Sequence, residues 1–186
     1  MIYQEFHISQ NKTMAGNIVY YFAYGPNMNP EKMSLCQIPF SDRQCGKLID
    51  YEFVMNHKRI NGTAGANIRE NEGSVVYGSL YTCTFDSIDR LDRYEGNMYS
   101  RQLVEITIMG SSKTDIVTAH TYIALGDSTD DNLVDISKEY LEHLLSGCDL
   151  LPKDYLEFLC THKEHAISVC PGEDYFLTEG ANETEE

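Results

Sequence analysis

Ile18-Val19-Tyr20-Tyr21-Phe22-Ala23-Tyr24-Gly25-Pro26-Asn27-Met28-Asn29-Pro30 is the stretch from which the fold can be read. It opens as an apolar, aromatic run of the kind that fills a buried strand. Gly25-Pro26 punctuates it. Asn29 then has the chemistry of an N-cap and Pro30 that of a first helical residue, so a short helix to about Cys36 is expected. A strand that feeds a helix through a tight bend leaves backbone N–H groups without partners. Such a bend either holds an anion or a developing oxyanion, or is an ordinary connection.

Working outward, Pro39 and the polar Ser41-Asp42-Arg43-Gln44 stretch read as a loop, and Lys47 to Met55 as a strand. The segment Gly62-Thr63-Ala64-Gly65-Ala66-Asn67-Ile68 has small side chains in extended chain. It either admits another backbone or a ligand at close range, or marks a bulge or sheet corner. Asn71-Glu72-Gly73 predicts a hairpin turn into the strand Ser74 to Tyr81. Phe85, Ile88, Leu91 and Tyr94 recur every third residue, the stripe of a short helix capped by Asp86 or Ser87 and ended by Gly96. Glu95 falls in the last turn of that helix, at the negative end of its dipole, where ionisation is disfavoured. Such a carboxyl is either a general acid/base or an ordinary exposed Glu.

Tyr99 to Ile108 and Ile116 to Leu125 read as a second hairpin joined through Gly110-Ser111-Ser112. Asn132 to Ser146 and Pro152 to about Lys163 read as helices. Five or six short strands, mostly joined by hairpins, define an α+β class: a mixed, mostly antiparallel bent sheet or small β-barrel flanked by helices. The connections are too short for a doubly wound parallel sheet. The expected organisation is a lead-in over residues 1–17, one domain over 18–165 and an acidic tail over 166–186.

The 186-residue chain has a formal net charge of −15, which disfavours nucleic acid and anionic membranes as partners. No apolar run has signal-peptide or membrane-span length, so a cytoplasmic location is expected. Cys36, Cys45, Cys83, Cys148, Cys160 and Cys170 form no C-x-x-C pair, and reduced thiols are expected. The acceptor patterns at Asn11, Asn61 and Asn182 therefore carry no weight. His162 and His165 have ligand-like spacing but no acidic cluster beside them, so no metal site is expected.

Phe22-Ala23-Tyr24-Gly25-Pro26-Asn27-Met28 resembles the opening motif of the γ-glutamylcyclotransferase family. Val76-Tyr77-Gly78-Ser79-Leu80-Tyr81, then Leu91-Asp92-Arg93-Tyr94-Glu95-Gly96 with Tyr99-Ser100-Arg101, follow in the family's order. Thr121-Tyr122-Ile123 and Leu151 to Leu156 also match, so the similarity spans roughly Ile18 to Leu159. The resemblance implies a mixed barrel with helices outside and a reaction without a cofactor. The free amine of a γ-glutamyl group attacks its own side-chain amide, closing 5-oxoproline and expelling an amino acid or amine. Ring closure of this kind has a high effective molarity, so folding the substrate does much of the work.

By the same resemblance Glu95 shuttles the proton. Tyr21, Phe22, Ala23, Tyr24, Gly25, Pro26 and Asn27 form the substrate-holding strand end and bend, and Tyr122 and Tyr99 contribute hydroxyls. The expected partner is a small γ-glutamyl compound, and a homodimer stays open. So do a γ-glutamylamine cyclotransferase, a biosynthetic deblocking enzyme of the same fold, and a non-catalytic binder. The last is raised by Pro26, which stands where the family usually has Ser or Thr. Proline lacks the N–H and the hydroxyl; if that donor faces the oxyanion, its loss costs about 10²–10³ in rate.

Overall fold

The computed structural model describes residues 18–110 and 115–169. The lead-in over 1–17, Ser111-Ser112 of the second turn, Cys170 and most of the acidic tail lie outside the described residues. Strands β1 (Ile18–Ala23), β2 (Asp42–Lys58), β3 (Ala64–Thr84), β4 (Tyr99–Ile108) and β5 (Ile116–Ala124) close a barrel in the order β1-β3-β2-β4-β5. Every pairing is antiparallel except the closing one, where Tyr20 and Tyr21 run parallel to Ala119 and His120. Helices α1 (Pro30–Leu35), α2 (Phe85–Glu95), α3 (Lys138–Ser146) and α4 (Lys153–Thr161) complete the α+β architecture. A small parallel pair joins β6 (Ile136–Ser137) to β7 (Ala166–Ile167), at the start of the segment assigned to the tail.

Alternation explains why β1 is buried on both faces. Tyr21 pairs across with Tyr81 and stacks on it, on the face that carries α2. Phe22 faces the opposite way, into the closed barrel, and is fully buried. Its ring lies where a Cβ on Gly78 would fall 2.9 Å away, and that same Cβ would sit 2.3 Å from the Ala23 carbonyl oxygen. Glycine at 78 is what lets β1 and β3 approach this closely. Burial of Phe22, Leu80, Ile68, Val76 and Ile106 fills the barrel, each side chain contributing about 1.5–3 kcal/mol.

Three expectations change. The polar Asp42-Arg43-Gln44 segment belongs to β2, since the barrel supplies Thr82, Tyr81 and Leu80 as ladder partners whatever the side-chain polarity. Asn71-Glu72-Gly73 does not reverse the chain: β3 runs 21 residues, and both halves pair with the 17-residue β2, so these strands are long. The turn residues form an irregularity instead, between the pairs Ile49–Val75 and Tyr51–Glu70, with the Gly73 N–H donating to Asp50 Oδ1 at 2.9 Å. Asn132–Asp135 is not helical. Helix α3 begins only after Ser137, whose Oγ accepts from the Tyr140 N–H at 3.2 Å. In α2, Ile88 and Leu91 are buried while Phe85 at the first position is half exposed. Among the described residues no helix is long and apolar enough to cross a membrane.

Candidate active site

β1 delivers the chain to Tyr24, a buried residue whose hydroxyl donates to the Tyr122 carbonyl. Gly25 stays extended, and Pro26–Met28 make one 3₁₀ turn, with the Met28 N–H donating to Gly25 O at 2.9 Å and the Asn29 N–H to Pro26 O at 3.1 Å. Asn29 then caps α1 through Oδ1, which accepts from the Glu31 N–H at 2.9 Å. The carbonyls of this bend are tied down from beneath. Tyr81 Oη donates to Asn27 O at 3.0 Å and to Met28 O at 2.8 Å, and Arg43 Nη1 donates to Met28 O at 2.8 Å. Its amides are left over: no described residue accepts from the N–H of Gly25 or Asn27. Pro26 sits between those two donors and has none of its own.

Across the bend lies the end of α2. Glu95 Oε1 accepts from Asn27 Nδ2 at 2.8 Å, and the same amide reaches Tyr21 Oη at 3.1 Å. Burial raises the Glu95 carboxyl to about 7, against the opposing pull of the Lys32 charge and the Asn27 hydrogen bond. Removal from water is therefore the largest cause of the shift. Tyr21, Tyr24 and Tyr99 are held well above the usual tyrosine range, first by burial and further by neighbouring groups that include the Glu95 charge. They stay protonated at neutral pH. A carboxyl raised toward neutrality is thus bonded to the side chain of a bend whose Gly25 and Asn27 N–H groups have no acceptor among the described residues.

Comparisons with known proteins identify the family and the fold. Residues 21–142, which span the bend, Glu95 and the start of α3, match the family Gamma-glutamyl cyclotransferase, AIG2-like. The chain belongs to this family. A solved gamma-glutamyl cyclotransferase is similar at 19% identity, TM-score 0.68, over 88% of this chain and 99% of that one. An uncharacterized protein from Homo sapiens is similar at 21% identity, TM-score 0.66, over 77% and 86%. A yeast gamma-glutamyl cyclotransferase specific to glutathione is similar at 13% identity, TM-score 0.59, over 80% and 97%. At these identities the likeness concerns the fold. No curated protein matches the chain by sequence.

Within this γ-glutamylcyclotransferase-family fold the remaining candidates divide. Tyr21, Asn27 and Glu95 meet through the Asn27 side-chain amide, and Gly25 and Pro26 belong to the bend itself. Phe22 and Ala23 support it from the barrel, where Thr121 Oγ1 donates to Phe22 O at 2.9 Å. Tyr122 sets its ring edge against Tyr21, with centroids 5.9 Å apart, but its hydroxyl donates to Asp92 Oδ1 at 2.8 Å and to Ile88 O at 3.3 Å. It therefore grips α2. Tyr99 Oη donates to Ala66 O at 3.2 Å, with its ring packed on His57.

Tyr140 of α3 was missed as a site neighbour, because helical spacing counts it only as an apolar position. Its hydroxyl accepts from the Ala66 N–H at 2.7 Å and lies 3.8 Å from where a Gly25 Cβ would be. The signal was Ser137, whose capping role sets Tyr140 in the first turn. Among the described residues no three His, Cys, Asp or Glu side chains are grouped to hold a metal ion.

Proposed function

We propose that this chain cyclises the γ-glutamyl group of γ-glutamyl amino acids or peptides to 5-oxoproline. Glu95, ionised, takes a proton from the substrate α-ammonium. The freed amine attacks the γ-carbonyl carbon, and the oxygen's developing charge is met by the Gly25 and Asn27 N–H groups. The attacking nitrogen gives its second proton to solvent, and the C–N bond to the leaving group breaks as Glu95 returns the first proton to the departing nitrogen, so that the carbonyl re-forms in the neutral lactam and the leaving group departs as a free amine. Five-membered ring closure supplies the effective molarity, and one carboxyl near neutrality serves as both base and acid. The 2.8 Å contact between Asn27 Nδ2 and Glu95 Oε1 supports this reading, because it ties the proposed shuttle to a residue of the bend that would supply the oxyanion donors.

The test is incubation of the purified protein with γ-glutamyl amino acids, dipeptides and amines, with 5-oxoproline as the readout. Wild type is expected to release it, and Glu95→Gln to lose turnover by about 10² or more while still folding. Comparable turnover in Glu95→Gln rejects the role of Glu95. Binding of every compound without release favours a ligand-binding protein.

A further inference from the structure

Three donors converge on one carbonyl oxygen beneath the bend. Arg43 Nη1 and Tyr81 Oη each donate to Met28 O at 2.8 Å, and Ser79 Oγ donates to it at 3.3 Å. The Arg43 side chain is only 12% exposed, and its Nη2 pairs with Asp149. Met28 itself is fully buried. A Cβ on Gly147, the residue that ends α3, would fall 2.5 Å from the Met28 carbonyl carbon, so the helix end lies directly on this peptide. A hydrogen bond from a charged donor is strong in such a buried place, and hydrogen bonds that follow one another in a chain polarise each other.

The chain continues beyond Met28. A peptide whose oxygen accepts becomes a better donor at its N–H. The other end of the Met28 peptide is the Asn29 N–H, which donates to Pro26 O at 3.1 Å. The Pro26 carbonyl in turn shares its peptide with the Asn27 N–H, which has no acceptor among the described residues. One unbroken line therefore runs from the Arg43 guanidinium through two peptides to Asn27. A second line starts where Tyr81 Oη donates to Asn27 O at 3.0 Å, and passes through the Met28 N–H to Gly25 O at 2.9 Å. It stops there, because the next nitrogen belongs to Pro26 and carries no hydrogen. We propose that Arg43 is a positioning residue that acts through Met28 and Pro26 to orient and polarise the Asn27 N–H offered to the developing oxyanion. The inference rests on the cyclotransferase reading above.

The test is Arg43→Met, assayed on γ-glutamyl-L-alanine. Its kcat is expected to fall about tenfold with KM within about twofold of wild type, since the Asn27 donor is needed most as charge develops. Arg43→Lys keeps the charge and should stay within about threefold of wild type in kcat. Amide nitrogen shifts, read by NMR, supply a signature that general loosening would not give. In Arg43→Met the Asn29 and Asn27 amides should move, Asn29 further, while Gly25, which lies on neither line, stays in place. An unmoved Asn27 amide, a Gly25 amide that moves as far, or an unchanged kcat overturns the proposal. Should Arg43→Met fail to fold, Arg43→Gln, which can still donate but has no charge, should show the same order of shifts at smaller size, and no shift at Asn27 refutes it. If wild type yields no 5-oxoproline, the cyclotransferase reading fails, and the amide shifts judge the line from Arg43 to Asn27 by themselves.

Discussion

A carboxyl that gives up its proton near pH 7 has two measurable consequences. Glu95 must be ionised to take the amine proton, so kcat/KM should rise with pH along a limb centred near the folded value of about 7. Lys32 favours the charged form, and Lys32→Met should move that limb to higher pH, read from the pH–rate profile. The second consequence is for stability. Below the ordinary value of 4.5 the group is protonated in both folded and unfolded chains and costs nothing. As pH rises the unfolded chain ionises first, and native stability falls until the folded carboxyl ionises too, near 7. Glu95→Gln should therefore melt higher than wild type at pH 8 and at about the same temperature at pH 4.5, the gain being at most a few kcal/mol and reduced by the group's partial exposure. A lower Tm at pH 8 contradicts it. Pro26 belongs at this scale as well. It fills the first position of the 3₁₀ turn between two amides that stay available, so Pro26→Ser should change activity by less than about tenfold. A larger gain on steady-state assay shows that the missing donor faced the substrate.

Glu95 reaches the bend only because α2 is held at the right height. Ile88 and Leu91 bury one face of the helix, and Tyr122 from β5 donates to both the Ile88 carbonyl and Asp92. Arg101 of β4 closes the clamp on Asp92 Oδ2 at 2.8 Å. Loss of this grip lets the carboxyl drift, and sub-ångström drift is costly in ring closure. Tyr122→Phe and Asp92→Asn should each lower kcat by about 10-fold with little change in KM, at a stability cost of about 1–2 kcal/mol by denaturant unfolding. Equal effects on kcat and KM would mean that Tyr122 touches the substrate instead. At β3, Gly78→Ala places a Cβ 2.3 Å from the Ala23 carbonyl oxygen, so strand β1 must shift and about 1–3 kcal/mol or more is lost.

For the molecule as a whole, closure of the barrel is the event that creates the site. The parallel contact of Tyr20 and Tyr21 with Ala119 and His120 brings β5, and with it Tyr122, to the strand that ends in the bend. Phe22 fills the interior at that seam. Phe22→Ala should cost about 3–5 kcal/mol, and activity should disappear at the same denaturant midpoint as secondary structure. An earlier loss of activity would show that the bend can come apart while the barrel stands.

Much of this was legible in local chemistry. The aromatic run, the Gly25-Pro26 break, the Asn29 cap with Pro30 behind it, and the stripe ending at Glu95 are local patterns, and the chain follows them because caps and buried faces act over a few residues. The α+β class and a bent sheet followed from their order, and the mixed barrel from the resemblance to the γ-glutamylcyclotransferase family. Other features depended on partners distant in sequence. Asp42–Gln44 became strand because β3 offered a ladder, and Asn71–Gly73 failed to turn because β2 was long enough to pair with both sides. Asn132–Asp135 stayed out of α3. The raised Glu95 carboxyl, the Asn27 bridge to it and the arrival of Tyr140 beside Gly25 all arise from segments brought together by barrel closure. Burial and long-range hydrogen bonds are properties of the packed chain, and no window of sequence contains them.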